Sequence, residues 1–406
     1  MTINRRNFVS LTAGAFAAST FLSGTALAQD MPGVTADTIK IGMTAPMSGP
    51  ASAYGQLAKV AEGYFNMVND NGGINGRKID FRIGDDAYNP ARTVEQTRRL
   101  VEGEEVLLMF AGVGTGPNGA VHDYLNSMEV PQMFLGSGAS KWDDPENFPW
   151  TVAFEPNYGI ESSVYAKYIL ENAPDAKVAI LYQNDEFGRD YLENFQRAVA
   201  GHDGMIVASK GYELTDPTVD TQILELKNSG ANVLMIFATP KFAAQAISRV
   251  ADLGWNPMRF LSKASASVGS VLEPAGLEKS KGVLTTRYLK DTTEAGIEND
   301  AGYKEWAGFM DKYMPGASKT DFLNVDGYAK AQLLVHVLTA AGDDLSRANV
   351  MKVATSLTDV KMPMLIEGMS ANNSPASFTP IRQLQLIEFD GTRFVAKGGI
   401  ISQDAE

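Results

Sequence analysis

The segment IKIGMTAPMSGPASAYGQLAKVAEGYFNMVNDNGGINGRKIDFRI spans residues 39–83 and holds one complete strand–helix–strand unit. Ile39-Lys40-Ile41-Gly42-Met43 reads as a strand that stops in the turn Pro46-Met47-Ser48-Gly49-Pro50. Leu57, Val60, Ala61, Tyr64, Phe65 and Val68 then recur at helical spacing, and Asn71-Gly72-Gly73 ends that helix as a C-cap. Asn75-Gly76 turns the chain into a strand over 79–83.

The alternation continues outward from this unit. Spacing predicts helices over 91–102 and 118–128 and strands over 107–111 and 132–135. A second series opens near Tyr158, with strands over 178–182, 205–210, 233–237 and 259–262 and helices over 191–199, 221–227 and 242–253. Helices over 303–313, 325–341 and 348–357 follow, and 383–389, Asp390-Gly391 and 393–396 read as a hairpin. Repeated β-α order implies parallel sheets covered by helices on both faces. The expected fold class is α/β, with two Rossmann-like lobes.

Before the first strand, Arg5-Arg6 and Phe8 precede an uncharged run over 11–27, the layout of an export signal, either of the twin-arginine kind or an ordinary secretory signal whose basic region holds two arginines. The run is too short and too rich in Ser and Thr to lie across about 30 Å of hydrocarbon. Ala26 and Ala28 place the expected cut after Ala28, which would leave a soluble periplasmic protein of about 378 residues. A chain of that length exceeds a single core of roughly 250–300 residues, so two lobes are expected. The sequence has no cysteine, which removes disulfides, thiolate metal sites and a lipid attachment point. Loss of Arg5 and Arg6 takes the formal charge from −13 to −15, with acids and bases interspersed, which argues against nucleic acid as a partner.

Only His122, His202 and His336 offer imidazole, and none has metal-ligand spacing. No G-x-S-x-G elbow occurs, and no catalytic base stands beside a nucleophile. An enzyme is not expected, nor a metal or cofactor. Asp85-Asp86 and Asp143-Asp144 read as turn and cap residues. Gly112-Val113-Gly114-Thr115-Gly116-Pro117 follows a buried strand and opens a helix, where free N–H groups and the helix dipole suit an anion; the alternative is a turn made of glycine only for close packing. The loop Gly136-Ser137-Gly138-Ala139-Ser140-Lys141-Trp142 ends the next strand and adds two hydroxyls. Open α/β sheets place ligands at such strand ends.

Met47-Ser48-Gly49-Pro50, Tyr54-Gly55, Asn71-Gly72-Gly73-Ile74-Asn75-Gly76-Arg77, Asp85-Asp86 and Asn89-Pro90 together resemble the leucine/isoleucine/valine-binding family of periplasmic proteins that serve ABC importers. Ala166-Lys167-Tyr168-Ile169-Leu170, Ala179-Ile180-Leu181-Tyr182 and Phe187-Gly188 keep the register further along. The resemblance implies a type I periplasmic binding protein, a hinged clamp that closes over its ligand. It implies an N-terminal lobe over 29–153 and about 286–358, and a C-terminal lobe over 154–285 and about 359–406. It implies an ABC permease of the inner membrane as partner, with the protein acting as a monomer.

By the same resemblance the ligand carboxylate falls to Thr115, Gly138, Ala139 and Ser140, a side wall to Tyr54, and the opposite lobe's contribution to Tyr158, Thr239 and Ala264. Amino-acid binders of the family hold the α-ammonium with acids, whereas Tyr158 and Ala264 carry no negative charge. A buried ammonium without a counter-charge costs several kcal/mol. The expected ligand is therefore an acid without the amine, with Trp142, Phe154, Tyr54 and Tyr158 available as aromatic walls and Lys263 as an added anion partner. Three alternatives stay open: a branched-chain amino acid or small amide with Glu155 or Glu161 supplying the charge, a periplasmic hydrolase using the same cleft, and a sensory binding protein that reports to a receptor instead of a permease.

Overall fold

The computed structural model describes residues 31–402. The export signal and the cut expected after Ala28 lie outside the described residues.

The first sheet contains β1 (Thr38–Ala45), β2 (Lys78–Asp85), β3 (Leu108–Phe110), β4 (Gln132–Met133) and β5 (Thr151–Val152), in the order β2-β1-β3-β4-β5. Every pairing in it is parallel. Between the strands run α1 (Gly55–Asp70), α2 (Pro90–Arg98) and α3 (Thr115–Ser127). α1 buries Leu57, Val60, Ala61, Tyr64 and Phe65, the stripe expected from their spacing. α2 starts where the Asn89 side chain accepts from the N–H groups of Ala91 and Arg92 and Pro90 needs no partner.

From β5 the chain crosses into α4 (Tyr158–Asn172) and the second sheet. That sheet holds β6 (Val178–Gln183), β7 (Ile206–Tyr212), β8 (Val233–Phe237), β9 (Met258–Leu261) and β10 (Val283–Arg287), with α5 (Glu186–Ala198), α6 (Asp220–Asn228) and α7 (Pro240–Asp252) between the strands. Two short helices, α8 (Glu273–Ala275) and α9 (Leu277–Ser280), precede β10. The chain then returns to the first lobe as α10 (Ala301–Tyr313), α11 (Phe322–Ala341) and α12 (Arg347–Ala354), whose Trp306, Tyr328, Leu334 and Val350 join Ile39, Leu57 and Phe65 in one buried core. It crosses once more to lay down β11 (Gln383–Phe389) and β12 (Phe394–Ser402). The order of the second sheet is β12-β11-β10-β9-β8-β6-β7.

The α/β fold with two mostly parallel sheets agrees with the alternation in the sequence. The second sheet is mixed, because β11 runs antiparallel to both β10 and β12. Differences from the expected elements lie at helix starts, at the short elements β5, α8 and α9, which were not expected, and at β10. The helix expected from 118 begins at Thr115 because Gly114, at φ +95°, turns the chain directly into it. The helix expected from 191 begins at Glu186, since the Asp185 carboxylate caps the N–H groups of Phe187 and Gly188. β10 was not expected at all: Val283-Leu284-Thr285-Thr286-Arg287 is buried throughout and so shows no alternation of apolar and polar positions.

Candidate functional site

A cavity of about 40 Å³, room for about three water molecules, lies between the two lobes. Its walls come mostly from segments at the carboxyl ends of strands. The first lobe supplies Tyr54, Leu57, Tyr88, Val113, Gly114 and Gly136, with Phe322, Leu323 and Asp326 from α11. The second supplies Tyr158, Phe187, Lys263 and Ala264, and Glu155 stands on the crossover between β5 and α4. Pockets that hold organic ligands run to roughly 300–1,000 Å³, so this space as it stands is too small for one.

Local chemistry positions the walls. Asp86 accepts from the Tyr88 N–H at 2.8 Å and from the Thr93 hydroxyl at 3.0 Å, which holds Ala87 and Tyr88 at φ +49° and +61°. These are left-handed values that non-glycine residues adopt only under constraint, at about 1 kcal/mol each. The turn brings the Tyr88 ring against Gly114, where an added Cβ would stand 2.5 Å from it. Burial pushes the Asp86 carboxyl up to about 6. Gly138 is just as constrained, because a Cβ there would lie 2.8 Å from the Tyr158 ring and 2.9 Å from Lys263 Nζ.

The nine residues expected at the site divide into two groups. Tyr54, Tyr158, Lys263 and Ala264 line the cavity, and Gly138 packs against two of them. Thr115 and Ala139 line a separate opening of about 280 Å³ with Lys141, Glu186 and Asp190. The Thr115 hydroxyl lies 2.8 Å from that of Ser137, and both residues are buried. Ser140 faces α5, its N–H donating to Asp190 at 2.9 Å and its hydroxyl accepting from Asn194 at 3.1 Å. Thr239 is enclosed in the second lobe, donating to Gln183 at 3.0 Å through its hydroxyl and to the Tyr212 oxygen at 3.0 Å through its N–H.

Two of the expected aromatic walls belong to the core instead. Trp142 is buried with its indole N–H donating to Ser137 at 3.0 Å, and Phe154 packs edge-on against Phe134 and Tyr288. The Tyr158 ring is stacked on Tyr191 at 4.1 Å, with Lys263 Nζ 4.8 Å from its centroid. Tyr54, Tyr88, Phe187 and Phe322 are the remaining rings in the wall. Burial raises the phenols of Tyr54 and Tyr88 above their ordinary range, which keeps them neutral donors.

Charge is concentrated in two buried ion pairs. Lys263 Nζ lies 2.7 Å from Glu155 and 4.0 Å from Glu161. Glu161 is fully buried, accepting from the hydroxyls of Tyr165 and Tyr191 at 2.5 and 2.6 Å and from the Lys263 N–H at 2.7 Å. Burial still lifts its carboxyl above the ordinary range, against the pull of Lys263. On α11, Lys330 Nζ stands 2.6 Å from both oxygens of Asp326, which also accepts from Tyr288 at 2.7 Å. Glu155 and Asp326 thus bring acidic groups to a wall where matching Tyr158 and Ala264 to the family pattern implied none. Asp326 escaped the sequence reading, although an Asp and a Lys four residues apart inside an apolar helix signal a buried pair.

Direct bonds close the lobes over this space. The Tyr54 hydroxyl donates to the Ala264 carbonyl at 3.1 Å, and Ser267 and Ser270 donate to Asp321, the cap of α11, at 2.9 and 3.0 Å. Lys141 pairs with Glu186 at 2.6 Å on the rim. Among the described residues no group of three or more acidic or imidazole side chains could hold a metal, and no helix is long and apolar enough to cross a membrane. His122, stacked on Phe148, is pushed down to about 4 by burial.

Known proteins share this architecture. A branched-chain amino acid ABC transporter protein from Thermus thermophilus, solved with valine, superposes with a TM-score of 0.82 over 91% of this chain and 98% of its own, at 17% identity. A solute-binding protein of an ABC transporter from Rhodopseudomonas palustris, solved with 3,4-dihydroxybenzoic acid, gives 0.76 over 90% and 98%, at 18% identity. At these identities the two show the fold alone. A Leu/Ile/Val-binding protein homolog from Brucella melitensis is 30% identical over 203 residues, about half of each chain (48% of this one and 53% of that one). The family model described as periplasmic binding protein matches residues 38–392, which takes in the first sheet, the second sheet except its edge strand β12, and every wall of the cavity, and the chain belongs to that family.

Proposed function

We propose that the protein is the solute-binding component of an ABC importer, a monomer that captures a small aromatic carboxylate between its lobes and releases it unchanged. The observation that carries this reading is the cavity wall itself: Tyr54, Tyr88, Phe187 and Phe322 line it together with Lys263, the one cation among the lining residues. Flat rings suit an aromatic body, and the ammonium suits its acid group. The dihydroxybenzoic acid held by the Rhodopseudomonas palustris protein is consistent with such a guest in this fold. Lobe closure leaves too little room for entry, so binding requires the clamp to part and close again.

No turnover is expected, because each carboxylate near the cavity is already tied to a cation or to several donors and none faces a nucleophile as a base. Recovery of a bound compound unchanged after prolonged incubation tests that point.

Glu155 favours a second reading, an α-amino acid whose ammonium it would accept, and the valine in the Thermus thermophilus protein fits that class. Thermal shift separates the two. Benzoate or cinnamate at micromolar concentration is expected to raise the melting temperature. A rise with leucine or valine and none with the aromatic acids overturns the aromatic reading.

A further inference from the structure

Asp326 sits within an apolar helix, is 6% exposed, and yet edges the cavity. Its Oδ1 accepts from Tyr288 and Lys330, whereas Oδ2 accepts from Lys330 alone. A carboxylate oxygen takes two donors, so Oδ2 keeps one acceptor site, on a residue that lines the cavity together with the apolar Leu57, Phe322 and Leu323. Lys263, from the other lobe, is the lining cation, and a ligand's acid group goes there in competition with Glu155.

We propose that Asp326 reads a hydrogen-bond donor on the ligand, a hydroxyl or an amine, so that the cleft selects organic acids bearing one over the bare acid. The proposal rests on the cleft being a small-acid site. A bare acid would desolvate Oδ2 without replacing water as its partner, and an unmade bond to a buried charged acceptor is among the stronger penalties a site can impose.

Two matched pairs test it by titration calorimetry on the full mature chain: benzoate against 4-hydroxybenzoate, and 4-methylpentanoate against leucine. Within the pair that binds, the donor-bearing member is expected to bind about tenfold or more tightly. In the Asp326→Leu/Lys330→Met double variant, which removes both charges together, that ratio should fall toward one while the bare acid is retained. If that variant does not fold, Asp326→Asn/Lys330→Met keeps a polar side chain at the position and should reduce the ratio several-fold. An unchanged ratio in a folded variant overturns the role of Asp326. Failure of the aromatic pair alone sinks the aromatic reading and leaves the aliphatic pair to decide on Asp326. No binding by any of the four overturns the donor-selection proposal.

Discussion

Two buried lysines serve the cleft from opposite lobes and are held in different ways. Lys330 meets Asp326 one helical turn away on α11, so the pair forms as soon as that helix does. Lys263 meets Glu155 across 108 residues of sequence, between the end of β9 and the crossover after β5. The first pair is a fixture of one helix. The second depends on where the crossover lies relative to the second lobe, which the proposed opening and closing of the clamp would move. A ligand can therefore take Lys263 from Glu155 with little disturbance, whereas Lys330 pairs with Asp326 alone among the described acidic residues.

The largest expected effect tests this asymmetry. Lys330→Met leaves a nearly buried carboxylate unpaired and should lower unfolding free energy in urea by about 3–5 kcal/mol. Removing both members, as in Asp326→Leu/Lys330→Met, should restore stability to within about 1 kcal/mol. Lys263→Met should lose less, about 2 kcal/mol, because Glu161 keeps two phenolic donors and an N–H, and Glu155, 12% exposed, can turn toward water. Equal losses in the two lysine variants would break the comparison.

Buried groups without a full counter-charge sharpen it through pH. The Asp86 carboxyl, raised to about 6, binds its proton more tightly in the folded chain. Its contribution is complete below the unfolded value near 3.9 and is lost as pH rises toward about 6. His122, lowered to about 4, acts in the opposite sense, its contribution being lost as pH falls from about 6.5 toward 4. The two slopes oppose each other in the native protein. His122→Asn should uncover the Asp86 slope, a loss of about 1–2 kcal/mol between pH 4 and 6 read from urea midpoints. A flat profile in that variant removes the contrast between paired and unpaired burial. The smallest effect belongs to the rim: Lys141→Ala breaks a half-exposed pair with Glu186 and should change stability by no more than about 0.5 kcal/mol.

The strand–helix alternation was legible because both periods are local properties of the chain. The strand-end segments around Gly114 and Gly138 were legible for the same reason, since glycine and proline punctuation marks where strands stop, whereas Lys263 was reached only through the family resemblance. The identity of the polar wall was not. Tyr88 reaches the cavity only through a left-handed turn held by Asp86, and Ser140 turns to α5 because Asp190 and Asn194 stand there. Phe154 has the same composition-level claim on a pocket as Phe187, and only tertiary packing decides that one is core and the other wall. β10 was hidden because both its faces are covered, which removes the alternation that betrays a half-exposed strand.

The three passages of the chain between the sheets also set a timetable. β10 pairs with β9 on one side, but its other side waits for Gln383–Phe389, almost a hundred residues later. Until that stretch has been synthesised, a strand buried on both faces in the finished fold presents an open ladder of N–H and C=O groups, the kind of edge to which other chains add. The chain is thus most vulnerable to aggregation late in its making, and a stop codon or a proteolytic nick between β10 and β11 should yield insoluble product in place of a truncated but working clamp.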